Sequence, residues 1–225
     1  AGERTLARLG ARRLKTREAP ILFQAEMAVS LLRSLIGAIS GSALYRQSSF
    51  LQDHLGKQIF PEFVRIHENP LLPRGLASAP FDSEGVTTKA RDIINHGILE
   101  GYVLSSYSAR KLGMQTTGNA GGVRNLTIEP GELDMAGLLN QMGTGLLVTE
   151  MMGHGVNMVT GDYSRGAAGF WVEKGEIQYP VEEITIAGNL KQMFRQLQAV
   201  GKDIDRRSSV RTGSWLVESM TIAGE

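Results

Sequence analysis

The sequence predicts an α+β domain whose C-terminal part is rich in antiparallel strands, barrel-like or sandwich-like, with several flanking helices. Three observations carry this. Short strand-like runs dominate the last third of the chain. The 225 residues include 27 glycines with only 6% aromatics, a balance that favours many turns over long uninterrupted elements. Two stretches, 24–40 and 133–142, place apolar residues at helical spacing on one face.

Taken in order, residues 3–15 read as a helix with Leu6, Leu9 and Leu14 on one face and Arg4, Arg8, Arg12 and Arg13 around the others. Residues 20–23 form a short strand. Residues 24–40 are the clearest helix, with Val29, Leu32, Ile36 and Ile39 along one stripe. A second, shorter helix is expected over 50–60, ending at Pro61. Residues 63–67 are extended, and the three prolines Pro70, Pro73 and Pro80 make 69–80 a loop. The runs 87–94 and 98–104 flank Asn95-His96-Gly97 as a hairpin. A helical turn over 106–112 stops at Gly113, and the glycine-rich 118–122 leads into a strand over 123–128. After the helix at 133–142 come strands at 146–150, 169–173, 176–179, 183–187 and 215–222. Lys174-Gly175 is a tight hairpin turn, and one helix, 189–200, has Asn189 as its candidate N-cap.

Composition narrows the function classes. Charged residues balance, 24 against 23 for a net charge of +1, so nothing demands a polyanionic partner and nucleic acid is not expected. The six basic residues Arg4, Arg8, Arg12, Arg13, Lys15 and Arg17 form a local cluster, either a solvated helix face or a binding arm for nucleic acid or an acidic partner. The chain has no cysteine, which excludes disulfides, a thiol nucleophile and thiolate metal sites and fits a reducing cytoplasm. No apolar run reaches the roughly 18 to 20 residues that cross a bilayer. Residues 1–17 lack the apolar centre of a signal peptide and read as the tail of an upstream domain or a linker helix, with the main domain at 18–225.

Candidate chemistry is sparse. The four histidines, His54, His67, His96 and His154, include no pair one helical turn apart, the spacing that aims two imidazoles at one zinc ion. No metal site is therefore expected in this chain. Ser108-Ala109-Arg110-Lys111 fits the S-x-x-K pattern, in which Lys111 could activate Ser108 as a nucleophile, and Arg211-Thr212-Gly213 resembles K-T-G; the connecting S-D-N is missing. The glycine-rich stretch around Gly121 and Gly122 has no following Lys-Ser/Thr pair. It reads as a strand edge where another backbone, an added peptide strand included, approaches closely. Asp162, Tyr163, Ser164 and Arg165 are the densest polar cluster. They make either a solvated turn with Asp162 paired to Arg165 or the polar lining of a peptide or subunit groove.

Several longer strings carry a resemblance. LYRQSSF (44–50), PFDSEGV (80–86), SSYSARKLG (105–113), GTGLLVTE (143–150), TGDYSRGAAGFW (160–171) and EITIAGNL (183–190) occur in this order. They resemble the C-terminal domain of the TldD/PmbA metallopeptidase family, on its PmbA (TldE) side. The resemblance covers roughly 20–225.

That resemblance implies a cytoplasmic, two-subunit zinc peptidase acting on small flexible polypeptides, such as a microcin precursor leader or antitoxin-like proteins. It implies a TldD-like partner that holds the zinc, with self-association possible when this chain is alone. The TldD pattern has a helical H-E-x-x-x-H motif after a short strand; the matching register here is 24–29. Gln24 and Val29 stand at the two His positions and Ala25 at the Glu position, with Glu26 one place out of register. The TldD pattern also brings a Cys ligand near the C-terminus, and 208–214 here has none. The chain is therefore expected to be a non-catalytic subunit. A regulatory module, suggested by the family's older description as a modulator of DNA gyrase, and a serine hydrolase built on Ser108 and Lys111 are the alternatives.

Overall fold

The computed structural model describes residues 2–224; the side chains of Glu3 and Arg4, the latter part of the basic cluster, lie outside the described residues. The elements run α1 (Gly2–Leu6), β1 (Arg17–Phe23), α2 (Ala25–Ala38), α3 (Gly41–Tyr45), β2 (Ile66–Glu68), β3 (Arg91–Asn95), β4 (Ile98–Leu99) and α4 (Ser106–Lys111). They continue with β5 (Leu126–Ile128), α5 (Met135–Met142), β6 (Gly145–Met152), β7 (Asp162–Glu173), β8 (Glu176–Asn189) and α6 (Leu190–Arg195). The chain closes with β9 (Leu197–Val200), β10 (Val210–Arg211) and β11 (Trp215–Ala223).

The main sheet closes into a barrel. Its order is β1-β6-β7-β8-β11, and β11 pairs back onto β1, so five strands form a ring while β9 attaches to β11. β11 can serve three neighbours because its edge is divided: Trp215 to Val217 face β9, and Thr221 to Ala223 face β8. Closure removes the open edges that a flat sheet would expose. Pro20 sits where β1 changes register against β11, a position where a missing N–H is tolerated.

Strand alternation sorts the apolar residues. Ile21 and Phe23 of β1, Leu146 and Val148 of β6, and Trp215 and Val217 of β11 join the larger core, which continues through α2 to the second sheet. Their neighbours Leu22, Leu147 and Leu216 point the other way, under Leu138, Leu139 and Met142 of α5. Residues one apart therefore belong to different cores, as the two-residue period requires. The second sheet, β10-β5-β2-β3-β4, joins the barrel through aromatics: Phe60 stacks on Phe194 at 4.8 Å between centroids and meets Trp215 edge-on at 6.0 Å. Such contacts add about 0.5–1.5 kcal/mol each beyond area burial.

Several expected elements change. The helix over 3–15 is confined to Gly2–Leu6, because Gly10 adopts φ +74 and Arg12 pairs in parallel with Val181 of β8. Residues 50–60 form turns rather than a helix; Asp53 and Gly56 have φ of 56 and 75, while Phe50, Leu51, Ile59 and Phe60 all turn into the core. The helix over 189–200 keeps its Asn189 cap but ends at Arg195, since Leu197–Val200 are recruited to pair with β11. The runs 176–179 and 183–187 are one strand, β8, carrying Pro180 within it. β5 begins only at Leu126, after a left-handed Asn125. The two hairpin turns hold: His96-Gly97 and Lys174-Gly175 have φ pairs of 48/76 and 53/77, the left-handed pair that a two-residue hairpin favours.

Candidate functional site

Helix α2 starts directly off barrel strand β1, so its first turn stands at the barrel's rim. Gln24 is the residue before the helix and makes no side-chain cap. It lines a cleft of about 730 Å³ with Glu26, Met27, Thr149, Glu150 and Phe170, and residues Thr5 to Leu9 border its other side. The Thr149 hydroxyl is buried there without a hydrogen-bond partner, next to the register shift between Val148 and Glu150 in β6. Arg8 ties the N-terminal segment to this rim through Glu150 at 2.7 Å.

If residues 24–29 stand in the register of a zinc motif, as the resemblance implies, they make a poor cage for a cation. Gln24 offers only an amide, and Ala25 and Val29 are buried and have no donor atoms. Among the described residues no three His, Cys, Asp or Glu side chains gather where they could share an ion. Glu26 faces Arg207 at 2.6 Å, and Arg207 also holds Asp205 at 2.8 Å. The Arg207 guanidinium, reinforced by Asp205 and then Glu26, has its pKa raised, and Asp205 is lowered mainly by its hydrogen bonds from Arg207. A fixed cation already neutralises the carboxylates a second cation would need, so the residues present do not fit a zinc site.

The cluster at 162–165 is strand, not turn, and strand alternation divides it. Asp162 and Ser164 are exposed while Tyr163 is buried. Asp162 accepts from the Thr160 hydroxyl at 2.6 Å and the Asn189 amide at 3.1 Å, which in that order hold its carboxyl below the usual range. The expected Asp162–Arg165 pair does not form, because positions three apart in a strand lie on opposite faces. Tyr163 donates to the Met151 sulfur at 3.0 Å. Burial pushes its phenol up to about 12, against the opposing pull of the neighbouring Arg165 charge. Arg165 lines a cavity that it shares with Ser34 and His154.

Gly121 and Gly122 belong to a different region. They have φ of +93 and +102, in the loop that precedes β5, and no hydrogen bond joins them to 162–165 among the described residues. The loop is pinned by two buried carboxylates. Glu68 accepts from Asn119 at 2.8 Å and from the Arg124 amide at 2.7 Å, and Asp82 accepts from the amides of Glu84, Val86 and Ala120. The expected close backbone approach is absent at both: a Cβ on Gly121 would meet only the Ser83 side chain and one on Gly122 nothing within 4 Å, while the close approach falls at Gly118, 2.8 Å from the Thr87 carbonyl oxygen of this same chain.

Ser108 is buried against Gly41 and spent on a capping box with Ser105, accepting from the Ser105 amide at 3.0 Å. Lys111 lies over the Tyr107 ring at 5.8 Å, with no hydrogen bond to Ser108. A nucleophile needs its base within hydrogen-bond reach, so the serine-hydrolase arrangement is not assembled. The basic N-terminal cluster is largely answered internally: Arg8 by Glu150, Arg13 by Glu183, Arg12 by the Tyr179 ring and Arg17 by the Trp171 ring. Of the histidines, His54 bonds the Gln52 carbonyl oxygen and His67, on β2, bonds Asp92 at 2.6 Å; His96 and His154 are exposed. Sequence reasoning missed Arg207 and Asp205 as neighbours of α2. Their only signal was charge near 208–214, with no pattern linking it to residue 26.

A five-stranded barrel with a second sheet at its side and a helix springing from a barrel strand defines the class, an α+β domain of the kind found in TldE-type proteins. The pattern of the PmbA/TldA metallopeptidase C-terminal domain matches residues 16–224, and the chain belongs to this family. It is 58% identical to the metalloprotease PmbA of Escherichia coli O157:H7 over 222 residues, 99% of this chain and 49% of that protein. It is 54% identical to a PmbA homologue of Haemophilus influenzae, again over 99% of this chain and 49% of the relative. The chain thus spans about half the length of these curated relatives. Among solved structures, a Bacteroides thetaiotaomicron protein suggested to modulate DNA gyrase matches with a TM-score of 0.95 at 32% identity, covering all of this chain and 51% of that one. TldE from Thermococcus kodakarensis matches with a TM-score of 0.84 at 26% identity, covering 99% and 54%.

Proposed function

We propose that this chain is a non-catalytic half of a TldD/TldE-type zinc peptidase, cytoplasmic, and that it helps to enclose the chamber in which a TldD-like subunit cleaves small unfolded polypeptides. The observation that carries this reading is the amino end of α2. Gln24, Ala25 and Val29 stand in the zinc-motif register, and the nearby Glu26 is held by Arg207. A peptidase zinc needs three protein ligands and an open position for water, and this end of the helix supplies neither. The cleft beside Gln24 and Glu26 then serves to receive or orient chain rather than to hydrolyse it. Substrates of the kind the family resemblance suggests, a microcin precursor leader or antitoxin-like proteins, suit such an enclosure because a flexible chain can enter extended.

A role through gyrase or DNA has less to stand on. Among the described residues, Arg8, Arg13, Arg12 and Arg17 of the cluster that would carry it are engaged with Glu150, Glu183, Tyr179 and Trp171.

The test is metal content and hydrolysis of an unstructured peptide, measured on the chain alone and after mixing with a TldD-type subunit. The expected result is no bound zinc and no turnover alone, with chelator-sensitive turnover in the mixture. Stoichiometric zinc and turnover in the lone chain would overturn the proposal.

A further inference from the structure

The far half of α2 borders a groove that the subunit reading leaves unused. Two hollows meet at Ser34. One, of about 510 Å³, is walled by Arg33, Arg46, Met158 and Val159 among others. The other, of about 300 Å³, is walled by His154, Arg165 and the backbone of Gly153 and Gly155. The loop that ends β6 borders both, and no acidic residue lines either. We infer that this continuous groove, from Arg46 past Arg33 to Arg165, binds an extended acidic peptide segment.

Three features point to that ligand. First, the arginines are unmatched. No carboxylate of the described residues pairs with Arg33, Arg46 or Arg165, while Arg8, Arg13, Arg65, Arg91 and Arg207 all have one. Arg46 touches only the neighbouring Tyr45 hydroxyl and ring, at 3.2 Å and 5.5 Å. Second, the Nε of Arg165 is buried without a hydrogen-bond partner. Arg165 also lines the smaller hollow, where an entering carboxylate would meet its charge. Third, the wall is built to tight tolerance. A Cβ on Gly155 would overlap the Ser164 carbonyl oxygen, and Ser164 donates its amide to the Gly155 carbonyl at 2.7 Å. Glycine is therefore what lets the loop lie against β7 and bring His154 beside Arg165.

The groove suits a peptide better than a nucleic acid. A nucleic-acid site gathers on the order of 6–10 phosphate contacts, and the chain's net charge is only +1. Met158 and Val159 add apolar wall that a peptide's side chains can use. The carboxyl end of α2 contributes a partial negative charge of about half a unit, which three guanidiniums outweigh. The inference does not rest on a zinc-bearing partner, because it concerns binding by this chain alone.

The experiment is fluorescence anisotropy with a short fluorescein-labelled peptide of Asp, Glu and Ala. An uncharged peptide of equal length and an oligothymidylate serve as competitors, and neither partner nor metal is present. Saturable, salt-sensitive binding of the acidic peptide is expected. The double variant Arg33→Glu/Arg46→Glu, at two exposed positions, should weaken it by roughly tenfold or more, as two surface charge reversals allow. Lys57→Glu/Lys89→Glu, with the same change in net charge, should leave it unchanged. Arg165→Gln should weaken binding while circular dichroism shows the fold retained. Equal binding by the Arg33/Arg46 variant, equal binding of the uncharged peptide, or tighter binding of the oligothymidylate would each overturn the inference. Zinc or turnover in the lone chain would defeat the subunit reading and leave this result standing.

Discussion

The two ends of α2 present a contrast. At the amino end the carboxylate of Glu26 meets Arg207, which is itself shared with Asp205. Seven residues along, roughly 10 Å at helical rise, Arg33 and, beyond it, Arg165 and Arg46 pair with no carboxylate of the described residues. Yet the same apolar face, Ala28, Leu31, Leu32 and Leu35, anchors both ends. Stability of the helix therefore comes from its shared face, and the rim charges at either end are free to be matched or left open.

The contrast can be broken at its centre first. Leu32→Ala empties a fully buried position and should cost about 2–5 kcal/mol, measured as a lower urea midpoint, with both ends failing together. Survival of acidic-peptide binding at full strength in a variant so destabilised would show the ends to be independent of the core. The next largest effect is alkaline. The buried Tyr163 phenol is pushed up to about 12, above the ordinary value of about 10. Its contribution is thus fully present below pH 10 and is lost as pH rises toward 12, at most about 3 kcal/mol by linkage. Tyr163→Phe should flatten that alkaline loss in denaturation measured across the range.

Gly155→Ala sharpens the contrast. The overlap with Ser164 should cost about 1–3 kcal/mol and weaken peptide binding at the carboxyl end, while the Glu26–Arg207 end is untouched. The smallest effect belongs to Arg207→Ala. Arg207 is exposed although Asp205 is half-buried, so the melting temperature should fall only slightly at neutral pH. What should change is the acid limb. Asp205 is held below its ordinary pKa by Arg207, so the stabilisation it gives exists above its unfolded value and is lost as pH falls through the lowered one. The variant should show a shallower decline in acid, and an unchanged acid limb would mean that the pair is not formed in solution.

Much of the fold was legible because it was local. Strand β1, helix α2, helix α5 and the turns at His96-Gly97 and Lys174-Gly175 follow from apolar spacing and left-handed turn residues close together in the chain. The failures share a cause. Residues 197–200 have helical spacing, yet pairing with β11 claims them as strand. Residues 50–60 carry enough apolar side chains for a helix, but the core they fill lies on more than one side. The polar cluster 162–165 looked like one site because its members adjoin, and a two-residue period set Tyr163 inside and Asp162 outside.

By itself the sequence determined the class, an α+β strand-rich domain of the TldD/PmbA family, since apolar period and side-chain chemistry are written residue by residue. Only the tertiary structure decided that the sheet closes through β1 and β11, that Arg207 reaches Glu26 across 181 positions, and that Arg33, Arg46 and Arg165 share a groove. These depend on distances between residues far apart in the chain, which are fixed by how the barrel and α2 pack together and leave no local pattern in the sequence.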